Sequence, residues 1–174
     1  YSDGAGATVI EATDEEGGIL AHETASFTYD EAYYLFFGNS NNQELSKDTR
    51  YLKMDGRKIY EFALTNVPNA MKSCLEKSGV SIGDVKKILI QQANEKIDEA
   101  IIKRFYKLYQ MNPPAGIMPM SIDKLGNSSV ATVPTLYDLI KNNKLENHIL
   151  TKGDVIIFAS VGSGMSINAI VYKY

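Results

Sequence analysis

Val85-Lys86-Lys87-Ile88-Leu89-Ile90-Gln91-Gln92-Ala93-Asn94-Glu95-Lys96 is the stretch that decides the fold class. Val85 to Ile90 is a short, largely apolar run with β-branched residues, of strand rather than helix length, and reads as a buried strand. Gln91 to Asn94 then breaks the apolar pattern, and Asn94 is a favoured residue for opening a helix. Beyond it Ile97, Ile101, Ile102, Phe105 and Leu108 recur on one helical face. A buried strand, a polar corner and an amphipathic helix form the repeating unit of α/β layered domains.

Downstream, Ile117 to Met120 predicts a further short strand. Gly126-Asn127-Ser128-Ser129 predicts the cap of a helix running to about Lys141, with Pro134 inside it. Val155 to Ser160 and Ser166 to Tyr172 read as two closing strands around the turn Gly162-Ser163-Gly164. Upstream, Ile59, Phe62, Ala63, Val67, Ala70, Met71, Cys74 and Leu75 recur at helical spacing. Pro68 interrupts them, which predicts two consecutive helices, the second opening at Pro68 and ending at Gly79. Tyr29 to Tyr51 reads as a long polar loop. Ala7 to Glu11 and Ile19 to Phe27 read as strands separated by the acidic turn Asp14-Glu15-Glu16-Gly17-Gly18.

Composition narrows the function. At 174 residues the chain is long enough for one domain with a substantial core. Its net charge of -3 disfavours a nucleic-acid partner, which calls for a basic patch. No apolar stretch approaches the roughly 20 residues that span a bilayer. The single cysteine, Cys74, cannot form an internal disulfide, which points to a reducing cytoplasm. The chain opens on Tyr1-Ser2-Asp3-Gly4-Ala5-Gly6-Ala7, a glycine-punctuated turn, and is expected to be cut from something longer.

Chemistry-bearing residues are few. Gln91-Gln92-Ala93-Asn94 sets three amides between a strand and a helix, although capping by Asn94 accounts for it equally. Gly126-Asn127-Ser128-Ser129 has the same ambiguity, and Gly162-Ser163-Gly164 reads first as a tight turn. Met54-Asp55-Gly56 carries no meaning by itself. His22 and His148 stand beside neither cysteine nor paired carboxylates and read as surface or structural residues. Cys74 lies on an apolar helical face and reads as a small buried hydrophobe. Metal-ligand spacing, a Walker loop and a G-x-S-x-G elbow are absent, so no nucleophile is visible.

The order of the motifs is more specific than any one of them. Asp3-Gly4-Ala5-Gly6-Ala7, Met54-Asp55-Gly56, Gln91-Gln92-Ala93-Asn94, Gly126-Asn127-Ser128-Ser129 with Pro134, and Gly162-Ser163-Gly164 follow one another. This succession resembles the C-terminal half of the ketoacyl-acyl-carrier-protein synthase III family, whose blocks read D-G-A-G-A, M-x-G, H-Q-A-N, G-N-T-S-A-A-S-x-P and G-x-G. The resemblance covers nearly the whole chain. It implies an α/β fold: one half of a thiolase-like αβαβα architecture, a mixed five-stranded sheet with helices on its faces. Residues 1–174 would form that C-terminal domain, and the nucleophilic cysteine would lie in an N-terminal half absent here.

By the same resemblance, members condense an acyl group from acyl-CoA with malonyl-acyl-carrier protein to start fatty acid synthesis, as cytoplasmic homodimers without a tightly bound cofactor. Asn127 matches the catalytic asparagine, and Gln91 stands where the family has its histidine. Gly56, Tyr60 and Asn94 match positions along the pantetheine arm of coenzyme A. Gln92, Ala93, Asn94, Glu95 and Lys96 match the stretch that meets the carrier protein. Glutamine cannot titrate near neutral pH, so a base is lost at Gln91 while an N–H donor remains. A divergent acyltransferase of specialised metabolism and a non-catalytic partner subunit are the alternatives. The chain alone is expected to be inactive.

Overall fold

The computed structural model describes residues 1–174. Its main sheet has four strands: β1 (Gly18–Ser26), β4 (Val85–Ile90), β5 (Val155–Gly162) and β6 (Ser166–Lys173). They lie in the order β1-β6-β5-β4; β4 and β5 run parallel, and the other neighbours run antiparallel. A separate two-stranded ribbon joins β2 (Leu35–Gly38) to β3 (Tyr51–Met54). The helices are α1 (Gly56–Ser78), α2 (Glu95–Lys107), the single turn α3 (Ile122–Leu125) and α4 (Thr132–Lys141).

Three expectations are corrected. The sheet has four strands, not five, because Ala7 to Glu11 pairs with nothing; Val9 and Ile10 are 95% and 74% exposed. Its β-branched pattern suits a strand, but a strand also needs a free edge to pair with. Ile117 to Met120 forms no ladder either, giving β4 a backbone bond from Ile88 N–H to the Ile117 carbonyl at 2.9 Å. The stretch from Tyr29 to Tyr51 is a loop only in its middle, since β2 and the first residue of β3 fall within it.

Pro68 adds a fourth: α1 runs unbroken through it. Proline removes the N–H that would reach the carbonyl four residues back, that of Leu64. Arg104 of α2 supplies a replacement, its Nη1 donating to the Leu64 carbonyl at 3.3 Å. The ends of α1 follow local rules. Asp55 accepts from Lys58 N–H at 3.1 Å, and Gly79 closes the helix at φ 71°. Pro134, the third residue of α4, sits where helical N–H groups lack partners anyway.

The sheet divides two cores. Ile88, Ile90, Ile157, Ala159, Ile167, Ala169 and Val171 point to α1 and α2, with Phe62, Val67, Met71, Ile101 and Phe105 among the residues that meet them. On the other face Leu89 and Ile156 meet Leu136 and Ile140 of α4. Each such fully buried side chain contributes about 1.5–3 kcal/mol. Because side chains alternate along a strand, Gln91, Phe158, Ser160, Asn168 and Ile170 fall on the α4 face. No helix is long and apolar enough to cross a membrane.

Candidate active site

Gln91 follows β4, and its backbone N–H still bonds the Ala159 carbonyl of β5 at 2.9 Å. That bond keeps the residue extended and aims its side chain to the α4 face. There it lines a cleft with Ser129, Val130, Phe158, Ser160 and Asn168. Ser129 and Val130 belong to the short turn that opens α4, two and three residues beyond Asn127. The two corners singled out in the sequence therefore open onto the same face of the sheet.

Asn127 does not cap the helix as expected: Ala131 holds that position in α4, with no side-chain bond. Its Oδ1 accepts instead from Ser129 N–H at 2.8 Å, an Asx turn two residues long that leads into the short turn before α4. With the oxygen committed, the Nδ2 hydrogens remain to donate to a ligand. The N-terminal segment braces this corner. Ser2 N–H donates to the Asn127 carbonyl at 2.8 Å, and Ser2 Oγ donates to the Leu125 carbonyl at 2.7 Å. The glycines of Asp3-Gly4-Ala5-Gly6-Ala7 permit that approach. A Cβ on Gly4 would fall 2.9 Å from Cβ of Ser128, and one on Gly6 would fall 2.8 Å from Cβ of Pro134. Two motifs far apart in sequence are thus one packed unit.

The remaining predicted residues stand at the starts of two helices. Arg104 meets Leu64, and Lys72 Nζ lies 5.6 Å over the Tyr109 ring, so α1 and α2 run parallel. Gly56 and Tyr60 stand near the start of α1, and Asn94 to Lys96 open α2 directly after the Gln91 corner. Ala93, Glu95 and Lys96 are exposed. Asn94 Oδ1 caps α2 by accepting from Lys96 N–H at 3.0 Å. Nothing lies within 4 Å of a Cβ built on Gly56, so within this chain its lack of a side chain answers to no steric demand.

Gln92 departs from the expectation of a carrier contact: its side chain is 0% exposed and bonded to Pro119 and Ser121. Sequence reasoning also passed over Asp98 in the first turn of α2. Burial pushes its carboxyl up to about 7, against backbone N–H groups of Ala93 and Asn94 that favour the anion. Its Oδ2 is buried without a hydrogen-bond partner. The residues lining the cleft from β5 and β6 were findable, since alternation alone sets Phe158, Ser160, Asn168 and Ile170 on Gln91's face. Cys74 is fully buried, its Sγ donates to the Ala169 carbonyl at 3.4 Å, and burial raises its pKa. That is an inert thiol. His22 is exposed on β1, and His148 is half-buried with its pKa lowered by burial and then by Lys87.

Residues 75–174 match the family described as 3-oxoacyl-[acyl-carrier-protein] synthase III C terminal. The chain belongs to that family. Among curated relatives of the synthase III domain, the β-ketoacyl-[acyl-carrier-protein] synthase III of Oenococcus oeni is 30% identical over 178 residues, covering 100% of this chain and 52% of the relative. The synthase III 1 of Bacillus cereus is 29% identical over 174 residues, covering 100% and 49%. The chain thus spans about half the length of the curated relatives it matches. Among solved structures, the synthase III of Thermus thermophilus superposes with a TM-score of 0.76 at 21% identity, covering 95% of this chain and 49% of that one. The synthase III C-terminal domain therefore has the thiolase-like α/β fold expected from its motif order.

Proposed function

We propose that this chain is the C-terminal half of a β-ketoacyl-acyl-carrier-protein synthase III that condenses an acyl-CoA-derived group with malonyl-acyl-carrier protein to begin fatty acid synthesis. What supports the reading is the cleft that Gln91 shares with Ser129 and Val130, in the turn whose Ser129 N–H donates to Asn127. In this reading a cysteine outside the chain carries the acyl group. The malonyl thioester loses carbon dioxide, and the resulting enolate oxygen accepts N–H donors from Asn127 and Gln91. The enolate carbon bonds to the acyl carbonyl carbon, the C–S bond breaks, and the leaving thiolate takes up a proton. Gly56, Tyr60 and Asn94 line the pantetheine approach, and Ala93, Glu95 and Lys96 present an exposed edge to the carrier. A homodimer and a cytoplasmic setting belong to the same reading, with coenzyme A thioester as substrate rather than resident cofactor.

Gln91 favours one second reading, an acyltransferase of specialised metabolism that works without malonyl decarboxylation, because a carboxamide takes up no proton near neutral pH. One assay separates the two. The longer protein is given acetyl-CoA and malonyl-acyl-carrier protein, and the 3-oxoacyl product is followed by mass spectrometry. Product formation, faster in Gln91→His, supports the synthase. A folded protein that forms none, yet moves the acetyl group to another acceptor, supports the second reading.

A further inference from the structure

We infer that Gln92 is a positioning residue that couples the Gln91 corner to the Asn127 corner. The inference rests on the proposed condensing function of those two corners. Gln91 faces the cleft, and the next side chain turns inward: Gln92 is 0% exposed. Its carboxamide is fully engaged with a segment 27–29 residues away in sequence. Nε2 donates to the Pro119 carbonyl at 2.7 Å. Oε1 accepts from Ser121 N–H at 2.9 Å and from Ser121 Oγ at 3.3 Å.

Ser121 is the root of the arm that carries Asn127. Its carbonyl accepts from Leu125 N–H at 2.8 Å and from Lys124 N–H at 3.1 Å, and Gly126 N–H closes on the Ile122 carbonyl at 2.9 Å. Gln92 is thus hydrogen-bonded to Ser121, one helical turn carries Ser121 and Ile122 to Leu125 and Gly126, and Asn127 follows at once. The rest of this loop is tied elsewhere, by Lys87 Nζ to the Gly116 carbonyl at 2.7 Å and by Ile88 N–H to the Ile117 carbonyl. Those ties end before Pro119. A carboxamide offers a donor on one side and an acceptor on the other, so it sets both the distance and the rotation of the arm. An apolar side chain of similar volume would fill the space and leave the arm held only at its far end, by Ser2 on the Leu125 and Asn127 carbonyls.

The test uses the longer protein and separates acyl loading from condensation. Gln92→Leu is expected to lower kcat for condensation on the order of 100-fold, the scale of a misplacement of about 1 Å, and to leave loading from acyl-CoA unchanged. Gln92→Glu keeps the acceptor for Ser121 but, as a carboxylate, loses the donor to Pro119. Its condensation is expected to recover as pH falls, because the neutral acid donates again. Wild-type condensation in Gln92→Leu would overturn the coupling, as would equal loss of both steps in proportion to a lowered Tm. Should Gln92→Leu fail to fold, a pH profile of Gln92→Glu parallel to that of the wild type would overturn it instead. The side-chain amide resonances of Asn127 are expected to shift in either variant, whatever the activity. Unmoved resonances therefore sink the coupling, whereas a wild-type protein unable to condense sinks only the functional reading.

Discussion

Arg104 donates from Nη1 to the carbonyl of Leu64 at 3.3 Å, the acceptor that Pro68 leaves without a helical partner. A charged donor on α2 thereby repairs the hydrogen-bond gap in α1. Arg104→Met keeps much of the aliphatic stem and removes the donor, so it is expected to destabilise by about 1–3 kcal/mol. Pro68→Ala restores the missing N–H and should recover most of that loss in the double variant. A double-mutant cycle by urea unfolding measures the coupling, and strict additivity would contradict it.

The glycine run is held against Pro134. Gly6→Ala places a methyl 2.8 Å from Cβ of Pro134, so chain or ring must shift, at a cost of about 1–3 kcal/mol. The ring Cγ of Pro134 lies closer still, so Pro134→Ala, which removes the ring carbons and keeps Cβ, is expected to relieve Gly6→Ala in part. Unfolding midpoints of the single and double variants decide the matter.

Asp98 sets a pH dependence opposite to that of most carboxylates. Its folded-state pKa is about 7, whereas unfolded aspartate titrates near 4. Between those values the folded chain holds a proton that the unfolded chain has released. Stability therefore falls as pH rises from about 4 to about 7, by an amount on the order of a few kcal/mol, and levels off above. Asp98→Asn should flatten this slope and be more stable than wild type at pH 8. Equal pH slopes in the two proteins would refute the assignment.

Asn127 offers a separation of roles. Asn127→Asp keeps an oxygen for Ser129 N–H but loses the outward N–H donor. It is expected to retain wild-type stability while condensation by the longer protein falls about 100-fold to 1000-fold. Asn127→Ala loses both, adding a penalty of about 1 kcal/mol for the lost hydrogen bond to Ser129 N–H. Thermal melts beside product assays distinguish the two contributions.

Lys96 is exposed at the start of α2. Lys96→Glu should weaken binding of the acidic carrier protein at low salt, with the difference shrinking as ionic strength rises. Titration calorimetry at two salt concentrations reads it, and equal affinities at low salt would remove Lys96 from the docking edge.

Several features were legible in the residues alone because each rests on local pattern. Alternation and β-branching marked β4, β5 and β6, a 3.6-residue period marked α1 and α2, and Asn94 was recognisable as a cap, whereas Asn127 holds an Asx turn ahead of α4 rather than capping it. Other features depended on distant partners. Ala7 to Glu11 has the pattern of a strand, but no edge within this chain receives it. Pro68 reads as a helix break until Arg104 arrives from 40 residues beyond Leu64. Gln92 reads as a carrier contact and Asp98 gives no signal among its charged neighbours, yet both are buried, one bonded at both ends of its carboxamide and one with an orphaned oxygen.

The sequence by itself determined which segments bury apolar faces and which corners carry amides, because side-chain spacing and capping act over a few residues. Only the tertiary structure decided that the two amide corners open onto one cleft, and that Gln92 ties them together. Those outcomes depend on hydrogen bonds and close approaches between segments that no local pattern specifies.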